Sequence, residues 1–275
     1  MNDILFGSGL YIEIIRIKSA RCKRVLGVIT LLIWACGKRT MELAAAVLII
    51  FIGSYVQTSI GFGLAIITAP TLFLINPLYV PAPITICALT LSFANSYSHR
   101  KSISLGSLKY AVIGRLPGTF AGAGLLLIIN QSVLALWVGF SVLLGVLLSL
   151  KNVHFRATNG ALVLAGFLNG FMGTSTSIGG PPMALVLQHE ESSFIRANLA
   201  AFFVISCIMS LLVLGGIGKF GEEELMLALP LLPTALLAHW LALQTLQFIS
   251  KRFVRGVSLT LCTFSGCLAI GSYWI

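Results

Sequence analysis

The sequence predicts an all-α polytopic membrane protein of about eight transmembrane helices in two four-helix repeats, each with a glycine-broken, partly re-entrant segment. Three observations lead there. Hydrophobic residues make up 57% of the 275 residues and charged residues 9%, whereas roughly a quarter of a soluble domain is charged; mean hydropathy is +0.99. Long apolar runs recur along the chain, and roughly 20 such residues cross a hydrocarbon core of about 30 Å. Two glycine-rich breaks interrupt these runs: Gln57-Thr58-Ser59-Ile60-Gly61-Phe62-Gly63, and Gly173-Thr174-Ser175-Thr176-Ser177-Ile178-Gly179-Gly180-Pro181-Pro182. Both contain Thr-Ser-Ile-Gly, at residues 58–61 and 176–179. The runs are continuous, without the alternation of a transmembrane β-barrel.

Residues 1–40 stand apart as a basic leader. Arg16, Lys18, Arg21, Lys23 and Arg24 precede an apolar run from Val25 to Cys36, which Lys38 and Arg39 close. The run is short for a span and matches a signal-peptide hydrophobic region. Ile33-Trp34-Ala35-Cys36 loosely resembles a lipoprotein cleavage site, and an interfacial basic helix is a further reading. The reading ranked first takes Met41 as the true start and the leader as a mis-called, dispensable extension. From Met41 the expected spans are 42–60, 77–97, 108–129 and 133–150 in a first repeat (41–150). The second repeat (151–275) is expected to hold spans at 158–178, 197–217, 224–246 and 253–274. Short apolar arms follow each break, to about residues 75 and 188. Leu116-Pro117 matches Leu232-Pro233 in nearly the register of the two tetrapeptides, which points to an internal duplication.

The net charge of +10 does not form the patch a nucleic acid would need. The basic residues lie in the leader and in short connections, as membrane orientation requires. His99-Arg100-Lys101 with Lys109, and Lys151 with Arg156, mark cytoplasmic loops. With eight simple spans, Lys251, Arg252 and Arg255 fall outside and Glu222-Glu223-Glu224 inside, so the orientation of the second half stays open. Cys87, Cys207, Cys262 and Cys267 lie in apolar spans without a C-x-x-C, and read as small buried hydrophobes. No metal site, cofactor or catalytic residue is expected.

In lipid, opened backbone is tolerated only where protein buries it or it lines a cavity, and paired breaks in two halves point to a transporter binding site. A restarted helix offers free N–H groups and a positive dipole end to an anion. The candidate substrate-binding residues are therefore Thr58, Ser59, Gly61 and Gly63 at the first break. At the second they are Thr174, Ser175, Thr176, Ser177, Gly179 and Gly180. The competing reading is that small residues merely let helices pack closely. Arg115 is the one Lys or Arg well inside a span, and it either pairs with an anion or snorkels to the interface beside Lys109. The second break is expected to contribute more than Arg115, with Gly61 and Gly179 near a shared pseudo-symmetry axis in non-helical backbone. Asn95 and Asn198 read as packing residues rather than the lining of a polar path, Arg196 as the start of a span, and His239 as a core residue rather than a proton carrier. Asp3 is the sole aspartate and no glutamate lies mid-span, so no carboxylate proton relay is visible.

Residues 58–64 through Pro70, with Gly170-Phe171-Met172-Gly173 through Pro182 and Arg196-Ala197-Asn198, resemble the sulfite exporter TauE/SafE family, also called the toluene-sulfonate uptake permease family. The similarity covers roughly residues 41–275. Phe62 departs from the pattern, standing where the family often has another glycine. The resemblance implies a multi-pass inner-membrane protein that moves small sulfur-containing or organic anions such as sulfite or sulfonates. The expected function is thus secondary transport of a small anion by a non-enzyme embedded in the lipid bilayer. The coupling ion (proton or sodium) and any homo-oligomer are left open. The alternatives are a passive anion channel and an intramembrane hydrolase. For the latter, Ser175 and His239 faintly resemble a rhomboid-type dyad, but Gly173-Thr174-Ser175-Thr176 lacks the final glycine of Gly-x-Ser-Gly.

Overall fold

A computed structural model describes residues 41–150, 158–187, 192–245 and 251–271. The chain divides into two compact units, Met1–Ala45 and Ala46–Ile275. The leader and the basic Lys151 and Arg156 lie outside the described residues. Among the described residues there is no strand.

The helices are α1 (Met41–Ile60), α2 (Leu64–Ile75), α3 (Ala82–Ser98), α4 (Leu105–Ile128), α5 (Gln131–Leu150) and α6 (Asn159–Thr176). They continue as α7 (Gly180–Leu187), α8 (Ser192–Gly216), α9 (Glu222–Ala228), α10 (Leu232–Thr245) and α11 (Lys251–Gly271). Each expected span coincides with helix over most of its described residues, and among the described residues six helices are long and apolar enough to cross a membrane: Met41–Ile60, Pro77–Ser98, Leu108–Ile128, Gln131–Leu148, Phe194–Gly216 and Glu222–Thr245. The other two expected spans fall on α6 and α11. Helix α6 carries Asn159, Asn169 and several Gly, Ser and Thr residues because protein surrounds it; its second half from Asn169 is buried except Phe171. Helix α11 begins at Lys251 and Arg252, and its apolar part is the short Cys262–Gly271.

Local chemistry explains the helix ends. Gly61 and Gly63 take φ of 102° and 130°, a region glycine enters without a Cβ penalty. The Gln57 side chain then caps the restart, its Oε1 accepting from the Leu64 N–H at 3.2 Å. Helix α6 starts on Thr158, whose Oγ1 accepts from Ala161 N–H, and ends at Ser177 in left-handed backbone, φ 65°. Three glutamates occupy the first turn of α9, where the dipole favours them. Glu224 Oε2 also accepts from the Gly221 N–H at 2.8 Å.

The tightest helix pair is α4 against α6. A methyl group on Gly118 would come within 3.0 Å of the Phe167 backbone, and Gly114 and Gly122 meet Val163 and Phe171 in the same way. From α6, Gly166 and Gly170 approach the backbone of Ala111 and Arg115. Small residues spaced by four let two membrane helices touch backbone to backbone. Helix α8 packs on α3 and α4, and α11 packs on α5 and α2. One buried cluster forms around α1, α2, α3 and α5, and a second around α4, α6, α7 and α8. Phe62, between the two glycines of the first break, packs against both clusters. Phe93, Phe120, Leu212, Trp240 and Phe264 are more than half exposed, an apolar exterior suited to lipid. Cys87, Cys207 and Cys262 are buried, but Cys267 is exposed. That corrects the expectation of four buried thiols, and a thiol is apolar enough to face lipid.

Candidate functional site

The two breaks come together. A Cβ added at Gly180 would lie 3.1 Å from the Phe62 Cβ, so the first break stacks directly on the start of α7. Beside this contact lies a cavity of about 50 Å³, lined by residues of α1, the first break, α3, α4, α6, the second break and α8. One water needs roughly 10–15 Å³ of such space, so there is room for a few waters or one small ion.

Arg115 forms one wall. It projects from the middle of α4, is 2% exposed, and does not snorkel. Backbone contact between α4 and α6 sets Arg115 beside Asn169. Its Nη1 donates to Asn169 Oδ1. Its Nη2 donates to the Ser206 carbonyl and to Ser210 Oγ on α8, each at 2.7 Å. Thr174 Oγ1 lies 2.8 Å from Ser210 Oγ and supports it from behind. Nε is buried and has no partner. No carboxylate pairs with Arg115 among the described residues, where the acidic side chains are Glu42 and Glu222 to Glu224. All its hydrogen-bond partners are neutral.

Asn169 joins the arginine to the second break, for its Nδ2 donates to the Gly179 carbonyl. A Cβ at Gly179 would lie 2.7 Å from Asn169 Nδ2; the glycine is there to admit Asn169. Next to it Ser177 holds its left-handed backbone, a conformation that costs a non-glycine residue about 1–2 kcal/mol. A tertiary anchor holds it: Ser177 Oγ donates to the Pro81 carbonyl at 2.7 Å and lies 3.0 Å from Thr85 Oγ1. Pro181 and Pro182 open α7 and carry no N–H, which removes two of the four free donors a helix start normally offers. The start of α7 therefore presents fewer free backbone donors than an ordinary helix start.

Of the expected residues, Gly63, Arg115, Ser177, Gly179 and Gly180 line the cavity. The others are placed behind it. Thr58 is buried with its Oγ1 3.3 Å from His239 Nδ1, Ser59 donates to the Tyr55 carbonyl, and Gly61 lies against Arg196. Ser175 donates to the Phe171 carbonyl and accepts from Trp137 Nε1, while Thr176 donates to the Met172 carbonyl. Because Ser175 and His239 are engaged with different partners, no Ser–His dyad is assembled. Asn198 pins the α3–α4 connection, its Oδ1 accepting from Ser104 N–H. Gly61 and Gly179 both lie in non-helical backbone.

Sequence reasoning missed Gln57, Ser92, Asn169, Ser206 and Ser210, all of which line the cavity. Asn169 carried a usable signal: it is an amide in the middle of an apolar run, ten residues before Gly179. Among the described residues no group of His, Cys, Asp and Glu side chains is placed to hold a metal ion.

A model of the family described as Sulfite exporter TauE/SafE matches residues 45–269. No curated protein and no solved structure matches the chain.

Proposed function

The chain belongs to the sulfite exporter TauE/SafE family, and from that premise we propose that it is a secondary transporter that carries a small anion through the cavity between its two broken helices. One observation carries the proposal. Arg115 is buried beside that cavity, bound only to neutral groups, with a free Nε–H. A buried charge left without a partner costs about 3–5 kcal/mol, and an anion entering the cavity supplies the missing partner. Sulfite, a small sulfonate or a related organic or sulfur oxyanion fits this chemistry and the family's description.

Two further features support the reading. The breaks in Thr-Ser-Ile-Gly sequences meet at Phe62 and Gly180, as expected of duplicated halves that share one site. Pro117 lies midway along α4 and Pro233 midway along Glu222–Thr245, which agrees with two repeats of like build. The location proposed is the inner membrane.

The test is a flux screen in proteoliposomes over sulfite, sulfate, thiosulfate and small sulfonates, with Arg115→Gln at matched protein level. Arg115-dependent accumulation of at least one of these against its gradient is expected, which also separates a transporter from a channel. Equal flux in wild type, Arg115→Gln and empty liposomes would reject the proposal.

A further inference from the structure

Among the described residues the cavity wall carries a single fixed charge, and that bears on which anions fit. We propose that the site takes monovalent anions and discriminates against divalent ones, so that sulfite crosses as its singly protonated form. The inference rests on the reading of the cavity as an anion site.

Among the described residues Arg115 is the one charged side chain on the cavity wall. The groups that face it are neutral on every side: Gln57 from α1, Thr85 and Ser92 from α3, Asn169 from α6, and Ser206 and Ser210 from α8. Cys207, also on α8, is the titratable group among the lining residues. Two other basic groups stand near the breaks, and the buried Nε of one of them, Arg196, also has no hydrogen-bond partner. Arg196 stands beside Gly61 and His239 beside Thr58, and neither lines the cavity. A monoanion and one guanidinium sum to zero, so the loaded cavity is neutral. A dianion leaves a net negative charge in a space walled by protein, where charge is costly.

Donor supply points the same way. Both Nη2 hydrogens are taken by Ser206 and Ser210, and one on Nη1 by Asn169. Nε–H and one Nη1 hydrogen remain, on different edges of the guanidinium, so the paired fork that suits carboxylate and phosphate is closed. Ser177 donates its hydroxyl to Pro81. Ser92 Oγ accepts from Gln57 Nε2 at 3.5 Å, which leaves the Ser92 hydroxyl hydrogen for a ligand. A few single donors can replace the hydration of a weakly hydrated monoanion, but not that of sulfate.

The test follows thermal unfolding of the purified full chain, titrated with methanesulfonate (always singly charged), sulfate (doubly charged) and sulfite, on both sides of neutrality. Sulfate also stabilises proteins by exclusion from their surface, so the shift that counts is the part absent in Arg115→Gln. Asn169→Asp, which gives the arginine an internal counter-charge, serves as a second reference if Arg115→Gln does not fold. Methanesulfonate is expected to bind equally at both pH values, with sulfate at least about a hundredfold weaker, or about 2.8 kcal/mol at 1.4 kcal/mol per factor of ten. Apparent sulfite affinity should fall above neutrality in step with loss of the monoanion. Sulfate binding as tightly as methanesulfonate, or sulfite affinity that does not fall with pH, would overturn the proposal. Methanesulfonate binding that itself follows pH would also overturn it, by assigning the titration to the protein. If no anion of either charge produces an Arg115-dependent shift, the anion-site reading itself fails and takes this inference with it.

Discussion

Replacing Asn169 by aspartate changes one atom of the side chain and inverts the logic of the cavity. In the native protein Asn169 accepts from Arg115 and donates to the Gly179 carbonyl. Asn169→Asp keeps the acceptor, makes it anionic, and loses the donor. A carboxylate and a guanidinium about 4 Å apart attract by about 4 kcal/mol at an effective dielectric near 20. Loss of the bond to the buried Gly179 carbonyl costs about 1–3 kcal/mol, so net stability should stay close to that of the wild type. An incoming anion, however, now meets a neutral pair. It forfeits up to about 4 kcal/mol, close to a thousandfold in affinity at 1.4 kcal/mol per factor of ten. Asn169→Leu makes the complementary change: the charge survives, but two buried groups lose partners at about 1–3 kcal/mol each. The assay pairs proteoliposome flux with thermal unfolding. The aspartate variant should be stable and inactive, and the leucine variant less stable but still responsive to anions. An aspartate variant that transports like the wild type at matched protein level would refute the claim that Arg115 is the counter-charge of the substrate.

Other substitutions test neighbouring parts of the account. Gly179→Ala places a methyl group 2.7 Å from Asn169 Nδ2 and 2.9 Å from its carbonyl; flux should be lost while membrane insertion, followed by fractionation, is retained. Gly118→Ala drives a methyl group into the Phe167 backbone, and overpacking of this kind costs about 1–3 kcal/mol, so the melting temperature should drop measurably. Phe62, Gly63 and Ile66 line both the polar cavity and a neighbouring apolar one of about 30 Å³. Phe62→Ala should join the two and shift competition from methanesulfonate toward an aryl sulfonate, at a stability cost below the roughly 3–5 kcal/mol of a fully buried phenylalanine.

The helices and their interruptions were legible because they are local properties. An apolar run of span length, or a Gly61-Phe62-Gly63 that must bend, can be read one segment at a time. Arg115 was conspicuous as a lone charge in such a run, though only the structure separates burial from snorkelling. Its partners were not legible, since Asn169, Ser206 and Ser210 lie 54, 91 and 95 residues away in sequence. An asparagine or serine in a membrane helix otherwise reads as a packing residue. The Gly114, Gly118 and Gly122 stripe is periodic and was readable in principle, but the helix it faces is not encoded in it. The motif residues Thr58, Ser59, Ser175 and Thr176 do not line the cavity, and the reason is related. Proximity to a break in sequence does not fix which side of a helix meets the cavity, and these hydroxyls turn to His239 or to carbonyls of their own helices.

The central claim is that an anion sits in the cavity against Arg115, and anomalous scattering from bromide locates it directly. Crystals of the full chain soaked in bromide should give a peak within the space bounded by Arg115, Ser177 and Gly63, at hydrogen-bonding range of Arg115 Nε, and the peak should vanish in Asn169→Asp. A cavity without bromide at saturating concentration, or a peak that persists unchanged in Asn169→Asp, would contradict the account.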